Sequence, residues 1–486
     1  MRRLFDLVIA LVILPLSGCM VGPKYKTPAA IVAPSFKETP PASFAEQDGW
    51  KPGQPSDTKL KGDWWTIFGD PQLNALEAQV DGANQSLKAA EASFRAARAQ
   101  IGYERSNEAP TIGAGPSISA VRESANQPYF SPTLVNNGSG NFILPVDLNY
   151  EVDLWGRIRR TVTAAREQAQ ASDADLENAR LSLHAELAMN YFGLRSADAQ
   201  EKLLDDTVKA YESALQLTQD RFEGGAAPQS DVSQAQTQLN QARVQRTDLE
   251  VQRAQFEHAI AVLIGKPPAE LTLPPLPLNL QAPIIPQIPG IVPATLLERR
   301  PDIAADERRM ASANEQIGIA QAAYYPTLSL SGIMGLQGSS ALNWFNWPSR
   351  FWAVGPTFSE TLFDAGRRRS AKNITVAAYD ANVANYRQTV LTGFQQVEDN
   401  LAALRVLENE AQQQHEATAS AEQSLDLFQT RYEGGVDTYL QVVTWETAAL
   451  NNQRNDLDIL QRRLDASVLL VKALGGGWAT TKLPHV

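Results

Sequence analysis

The chain has 486 residues, 43% hydrophobic and 20% charged, with 43 Lys+Arg against 54 Asp+Glu and a formal net charge of -11. That is roughly three domains' worth of chain with enough apolar material for a core, which excludes wholesale disorder, and its acidic balance argues against a nucleic-acid partner held by a basic surface. One cysteine rules out an intrachain disulfide or a cysteine-based zinc site, and after residue 18 no run of about 18 apolar residues could make a bundle of membrane helices.

Arg2 and Arg3 precede an apolar stretch from Leu7 to Leu16, too short to span a bilayer comfortably. Small residues and Cys19 follow, so residues 1–18 read as a secretory signal peptide. Leu16-Ser17-Gly18-Cys19 resembles a bacterial lipobox, whose cysteine is acylated and becomes the new N-terminus. By the same resemblance, Met20 rather than Asp after the cysteine implies sorting to the outer membrane. Acyl chains would anchor the protein to a leaflet without spanning it.

Two Pro-rich stretches follow, one within the acylated segment 19–72 and one over 267–293, and both favour extended chain lying on a surface. Around the second, the sequence repeats. Leu87, Glu91, Ile101, Gly102, Pro110 and Thr111 match Ile303, Glu307, Ile317, Gly318, Pro326 and Thr327. Further on, Gly156-Arg157, Arg221-Phe222-Glu223-Gly224-Gly225 and Gly265 match Gly366-Arg367, Arg431-Tyr432-Glu433-Gly434-Gly435 and Gly475. So long a period means a duplicated domain, not a solenoid. The copies are 73–266 and 294–476, with a tail at 477–486.

Each copy has the same parts in order. A helix is predicted over 74–107 and again over 294–323. Two strands follow, at 110–121 and 141–154 in the first copy and at 326–336 and 351–362 in the second. In 141–154, Phe142, Leu144, Val146, Leu148, Tyr150 and Val152 alternate with polar neighbours, the period-two pattern of a strand with one apolar face. Strands of this length suit a transmembrane barrel, and Trp344, Phe345, Trp347, Phe351, Trp352, Tyr129 and Phe130 would supply its aromatic girdle. A soluble sandwich strand would show the same alternation.

Very long helices come next, at 157–222 and 366–432, then a Gly-Gly break and shorter helices at 229–264 and 438–474. Val390, Val397, Leu404, Ala411, Thr418, Leu425 and Tyr432 fall every seven residues, and Leu176, Leu183, Leu187, Tyr191 and Leu194 make a similar seam in the first copy. Such helices span roughly 100 Å, the length of a bridge across a compartment. Four strands cannot close a barrel and open edges are not tolerated in lipid, so copies of the chain must share one. The fold class is α+β, mostly α.

Together these features resemble the TolC-like outer-membrane efflux factors, in their lipoprotein (OprM/NodT-like) branch. The specific pieces include Cys19-Met20-Val21-Gly22-Pro23, Trp64-Trp65, Asp70-Pro71, Arg300-Pro301-Asp302, Tyr325-Pro326-Thr327, Phe363-Asp364-Ala365-Gly366-Arg367 and Gly475-Gly476-Gly477-Trp478. The resemblance implies a homotrimer with a 12-stranded transmembrane β-barrel, continued by a periplasmic α-helical barrel with an equatorial domain. It implies passive conduction with no catalysis and no cofactor beyond the covalent lipid at Cys19. The implied partners are a periplasmic adaptor (membrane fusion protein) and an inner-membrane pump of RND type.

The Gly-Gly breaks read as helical hairpin turns, which the resemblance puts at the periplasmic tip. Arg221, Phe222, Gly224, Gly225, Arg431, Tyr432, Gly434 and Gly435 are then the candidate adaptor-binding residues. For the gate, Leu440 takes the place of an apolar constriction, while Thr444 and Thr447 stand where family members often carry an acid and an arginine. The gate is therefore expected to rely on Leu440 and on links around Arg431 and Tyr432, with Asp220, Asp231 and Asp437 as candidate acidic partners. Asp147, Glu151, Asp153 and Glu360 could tune cation preference in the barrel lumen, or simply be solvated lining. His184, His258, His415 and His485 lack ligand spacing. A periplasmic hydrolase would need a catalytic motif of the G-x-S-x-G or H-E-x-x-H kind, which the sequence lacks. A periplasmic adaptor would lack the paired strands and the full-length duplication. A type I protein secretion channel shares the fold and is the alternative function.

Overall fold

A computed structural model of the chain describes residues 20–30, 32–39, 41, 62–122, 124, 126, 138–280, 285, 286 and 299–477. Cys19, Tyr129, Phe130, Trp478 and His485 lie outside the described residues. The first half runs α1 (Pro71–Ala83), α2 (Gln85–Arg105), β1 (Thr111–Ala114), β2 (Ser117–Val121), β3 (Ser139–Val152), α3 (Arg157–Glu223) and α4 (Gln229–Leu263). The second runs α5 (Pro301–Ala322), β4 (Thr327–Gly338), β5 (Arg350–Ser359), α6 (Arg367–Glu433) and α7 (Tyr439–Ala473). Both long helices have 67 residues and both shorter ones 35.

The helix expected over 294–323 runs Pro301–Ala322, with Pro301 at its first position and 294–298 outside the described residues, and three further expected elements differ. The helix expected over 74–107 is two, because Asn84 caps: its Oδ1 accepts from Leu87 N at 3.0 Å and its Nδ2 donates to Leu263 O at 2.8 Å. One side chain thus satisfies orphan groups at the start of α2 and the end of α4. The strand expected over 110–121 is broken at Gly115-Pro116, although its register is continuous, with Ala114 opposite Val146 and Ser117 opposite Ile143. Pro116 and Pro145, the latter opposite Gly115 in that register, both lack an N–H, so the ladder has a gap there. The strand expected over 351–362 ends at Ser359, because Asp364 turns the chain by accepting from Gly366 N and Arg368 N at 3.1 Å each.

The strands form one antiparallel sheet, with β1 and β2 both on β3, then β4, then β5. One face carries the rungs Ile112–Leu148–Gly332–Val354 and Ala114–Val146–Met334–Trp352, and the other carries Thr111–Asn149–Ser331–Gly355. On the apolar face Ile112, Met334, Trp352, Val354 and Phe358 are all well exposed. The outer edges of β1, β2 and β5 have no partner strand among the described residues.

Below the sheet, α3 packs against α2, α4, α5 and α7, while α6 packs against α5 and α7. The seven-residue seam of α6 is buried at Val390, Val397, Leu404, Thr418 and Tyr432. The largest core lies midway, where Trp64, Trp65, Phe68 and Leu73 meet Tyr191, Phe192 and Leu194 of α3 and Leu464, Val468 and Val471 of α7. The Pro-rich segment after α4 is laid along α3: Leu276 N donates to Asp198 at 2.8 Å and Leu278 N to Arg195 O at 3.2 Å.

Residues from Met20 onward form a strap on the same assembly. Val21 N donates to Trp155 O at 3.2 Å, and Arg160 donates to Val21 O at 2.7 Å while pairing with Glu315 at 2.6 Å. Gly22 crosses Gly318 so closely that a Cβ on Gly22 would lie 2.6 Å from the Gly318 Cα. Further down, Tyr25 donates to Glu307 at 2.7 Å and Arg405 pairs with Glu38 at 2.6 Å.

Candidate functional site

The two hairpin turns are built alike. At the end of α3, Ala226 N donates to Arg221 O at 2.7 Å and Gly225 N to Phe222 O at 2.9 Å; at the end of α6, Val436 N donates to Arg431 O and Gly435 N to Tyr432 O, both at 2.9 Å. This is the Schellman closure of a helix, which needs a left-handed residue. Gly225 and Gly435 supply it, with φ of 74° and 72°. Gly224 and Gly434 have ordinary helical φ, so only the second glycine of each pair is required by the backbone.

The structure brings the arginine/aromatic pairs of the two turns together. Arg221 of the first turn donates to Tyr432 O at 2.7 Å, and its guanidinium lies 4.5 Å from the Tyr432 ring centroid. Tyr432 is buried with Ala235, Tyr439 and Val442, whereas Phe222 is exposed. Arg431 pairs with Asp437 inside its own turn. Of the three acids considered for it, Asp220 instead accepts from Gln216 at 2.9 Å and Asp231 from Ser230 at 3.3 Å.

Leu440, Thr444 and Thr447 follow i, i+4, i+7 spacing and share one face of α7. Leu440 is 54% exposed, and the two threonine hydroxyls bond back to Leu440 O and Val443 O at 2.8 Å. Glu446 points the other way and is 8% exposed. Burial without a counter-ion pushes its carboxyl up to about 7. Its burial against Tyr211 and Tyr439 has no signal in the sequence, where it reads as one more helix acid.

At the opposite end, aromatic residues flank the sheet. Trp344 lies 5.5 Å from Phe142 and 4.9 Å from Phe345 at the far rim, and Trp155 stacks on Tyr325 at 4.8 Å where the sheet meets the helices. Phe351 does not join the girdle: it sits opposite Gly335, on the polar face. Two of the four acids considered for a barrel lumen, as cation-tuning or merely solvated lining, are paired with arginines. Glu151 pairs with Arg157 at 2.7 Å and Asp153 with Arg159 at 3.1 Å. Among the histidines, His184 is a core residue, stacked on Trp65 at 4.3 Å and bonded to Glu77 at 2.6 Å.

A family model described as outer membrane efflux protein matches residues 76–266 and again 292–476. The chain belongs to that family. The two tandem matches coincide with the two halves of the fold. TtgC, a probable efflux pump outer membrane protein of Pseudomonas putida, is 31% identical over 466 residues, covering 95% of this chain and 93% of its own. The outer membrane protein OprJ of Pseudomonas aeruginosa is 31% identical over 475 residues, covering 98% of this chain and 96% of its own. Among solved structures, the open state of the MtrE outer membrane channel of Neisseria gonorrhoeae superposes with a TM-score of 0.80 at 26% identity, covering 94% of this chain and 98% of that one. Family membership puts the sheet in the outer membrane and the long helices in the periplasm.

Proposed function

We propose that this outer-membrane efflux protein is the exit duct of a tripartite pump, passively conducting solutes delivered by an inner-membrane pump and a periplasmic adaptor. One observation carries the reading. A four-strand-wide sheet with an exposed apolar face and two open edges continues directly into helices of about 100 Å. Open edges in lipid are unsatisfied backbone, so β5 of one copy must pair with β1 and β2 of the next. Three copies of four strands give a 12-stranded barrel, the homotrimer that the resemblance implies.

The helical tips are the proposed adaptor-docking surface, with Phe222 exposed and the Arg221–Tyr432 link joining the two hairpins behind it. Leu440 supplies an apolar ring in place of a charged aperture. The strap supports acylation at Cys19, because Met20 packs on Gly156 beside Trp155. The next residue back would put its acyl chains in the inner leaflet of the membrane that the sheet crosses. An RND-type pump is the proposed inner-membrane partner, on the strength of the lipobox and tip motifs.

The deciding experiment is heat-modifiable migration of the protein from outer-membrane fractions, followed by conductance in planar bilayers. A trimer-sized band and steady pores are expected. A monomer in the soluble periplasm that forms no pores would overturn the reading. Incorporation of labelled palmitate into the wild type and not into Cys19→Ala tests the anchor.

A further inference from the structure

The sheet carries a single charge on its apolar face. Arg350, the first residue of β5, stands opposite Leu336, and the next residues on its side of the strand are Trp352 opposite Met334 and Val354 opposite Gly332. Side chains alternate across a strand, so Arg350 projects from the same face as Trp352, Val354 and Phe358. It is the only charged residue that the five strands place on that face. The open edge of β5, where a neighbouring copy pairs, lies in the plane of the sheet, whereas Arg350 stands off its lipid side. The helices leave from the other end of the strands into the periplasm, so Arg350 is at the outer-leaflet rim.

The loop between β4 and β5 is folded onto this same side. Gly338 ends β4 on the apolar face, opposite Phe142, and a Cβ there would lie 3.1 Å from the Trp344 Cα. Trp344 covers that glycine, packs on Phe142 and donates from its indole N–H to Leu336 O at 3.3 Å. The Asn343 side chain accepts from Ser340 N at 3.1 Å, and its carbonyl accepts from the Ser349 hydroxyl. So pinned, the loop turns out Leu342, Phe345 and Trp347, all well exposed. The Arg350 guanidinium lies 4.1 Å from the Trp347 ring centroid and donates to Trp347 O at 3.3 Å. It has no carboxylate partner among the described residues.

A cation on the lipid face is costly at the bilayer midplane and nearly free at headgroup level, where tryptophans also collect. The anions within reach at that level are the phosphates of the membrane itself. We propose that Arg350 and Trp347 form a binding site for the phosphate of a phosphorylated lipid in the outer leaflet, with Leu342 and Phe345 seated beside its acyl chains. The planar guanidinium offers paired N–H donors that match phosphate oxygens, and Trp347 covers one of its faces while leaving donors free for the ligand. The inference rests on the placement of the sheet in the outer membrane and not on conduction.

The test is lipid retention by detergent-purified full-length trimers, followed by native mass spectrometry, with diphosphorylated lipid A and its dephosphorylated form as probes. The wild type is expected to bind the phosphorylated lipid about fivefold more tightly, and Arg350→Gln to lose that preference. Trp347→Ala, which frees the guanidinium to wander, is expected to lower it about twofold. Equal binding of the two lipids by the wild type would overturn the inference, as would an unchanged preference in Arg350→Gln. Loss of the preference in equimolar inorganic phosphate would overturn it too, assigning Arg350 to a free anion. Should Arg350→Gln fail to assemble, an unmoved preference in Trp347→Ala would assign the arginine to the seam between copies instead.

Discussion

The two halves of the chain share a backbone plan and differ in what surrounds it. Their long helices have equal length, and both close on the same glycine turn. Yet α3 is ringed by α2, α4, α5 and α7 and is buried along most of its middle, while α6 packs chiefly on α5 and α7 and keeps much of its surface open. Arg195 and Arg405 occupy the same repeat position. Arg195 is sealed in, bonding Asp198 and Pro274 O at 3.1 Å and lying 4.6 Å from the Tyr191 ring centroid. Arg405 reaches Glu38 of the strap in partial exposure. Duplication therefore preserved the helix, and position in the assembly decided which copy became an internal strut and which an edge left for a neighbouring copy.

That contrast yields the largest expected effect. Arg195→Ala leaves Asp198 buried with Arg253 as its remaining cation and strips the Pro274 carbonyl, so a loss of about 3–5 kcal/mol is expected. Arg405→Ala breaks a half-exposed pair and should cost about 0–1 kcal/mol. Thermal unfolding of the two variants in detergent measures both. Equal losses would break the strut-and-edge distinction.

The tip gives the next contrast. Arg221→Ala removes a charge-assisted bond to Tyr432 O and a cation–π contact, together about 1–3 kcal/mol, from a link that joins the tips of the two hairpins. A higher open probability in single-channel recording is expected. Arg431→Ala, whose Asp437 partner lies within the same turn, should change it less, and Leu440→Ala should raise conductance by widening an apolar ring. Within each turn, Gly225→Ala or Gly435→Ala forces a side chain into the left-handed region, at about 1–2 kcal/mol, whereas Gly224→Ala and Gly434→Ala should be nearly neutral. Amide exchange at the tips separates the two classes.

Much of this was legible in the sequence, for reasons of period. The long helices were readable to within a residue because seven-residue spacing and Gly-Gly punctuation are local signals. The strands of 141–154 and 351–362 were readable from alternation, while the Gly- and Ser-rich segments at 110–121 and 326–336 gave a weaker signal. What escaped depended on partners far along the chain. Asn84 looked like one more helical residue until Leu263 O, 179 positions away, gave its amide a use. Phe351 belonged by type to the girdle and by parity to the other face. Arg221 and Tyr432 were both named, but the bond between them needed the two halves side by side.

The smallest effect concerns Glu446, whose place in the first half is held by the exposed Gln236. Burial raises the Glu446 carboxyl to about 7, above the ordinary carboxylate value near 4.5 that it takes when unfolded. Below both values the group is protonated in either state and costs nothing. As pH rises from about 4.5 to about 7 the folded protein holds a proton that the unfolded chain has lost, so stability falls across that window and is level above it. Glu77 and Asp465, also pushed up to about 7 by burial, bias the protein in the same direction. Glu446→Gln should therefore remove one share of the slope, leaving the variant more stable than the wild type at pH 7.5 and little different at pH 4.5. Melting temperatures of both proteins across that range check it. A wild-type slope that Glu446→Gln leaves unaltered would mean that water or a neighbouring copy reaches Glu446, and that the second hairpin is as open there as the first is at Gln236.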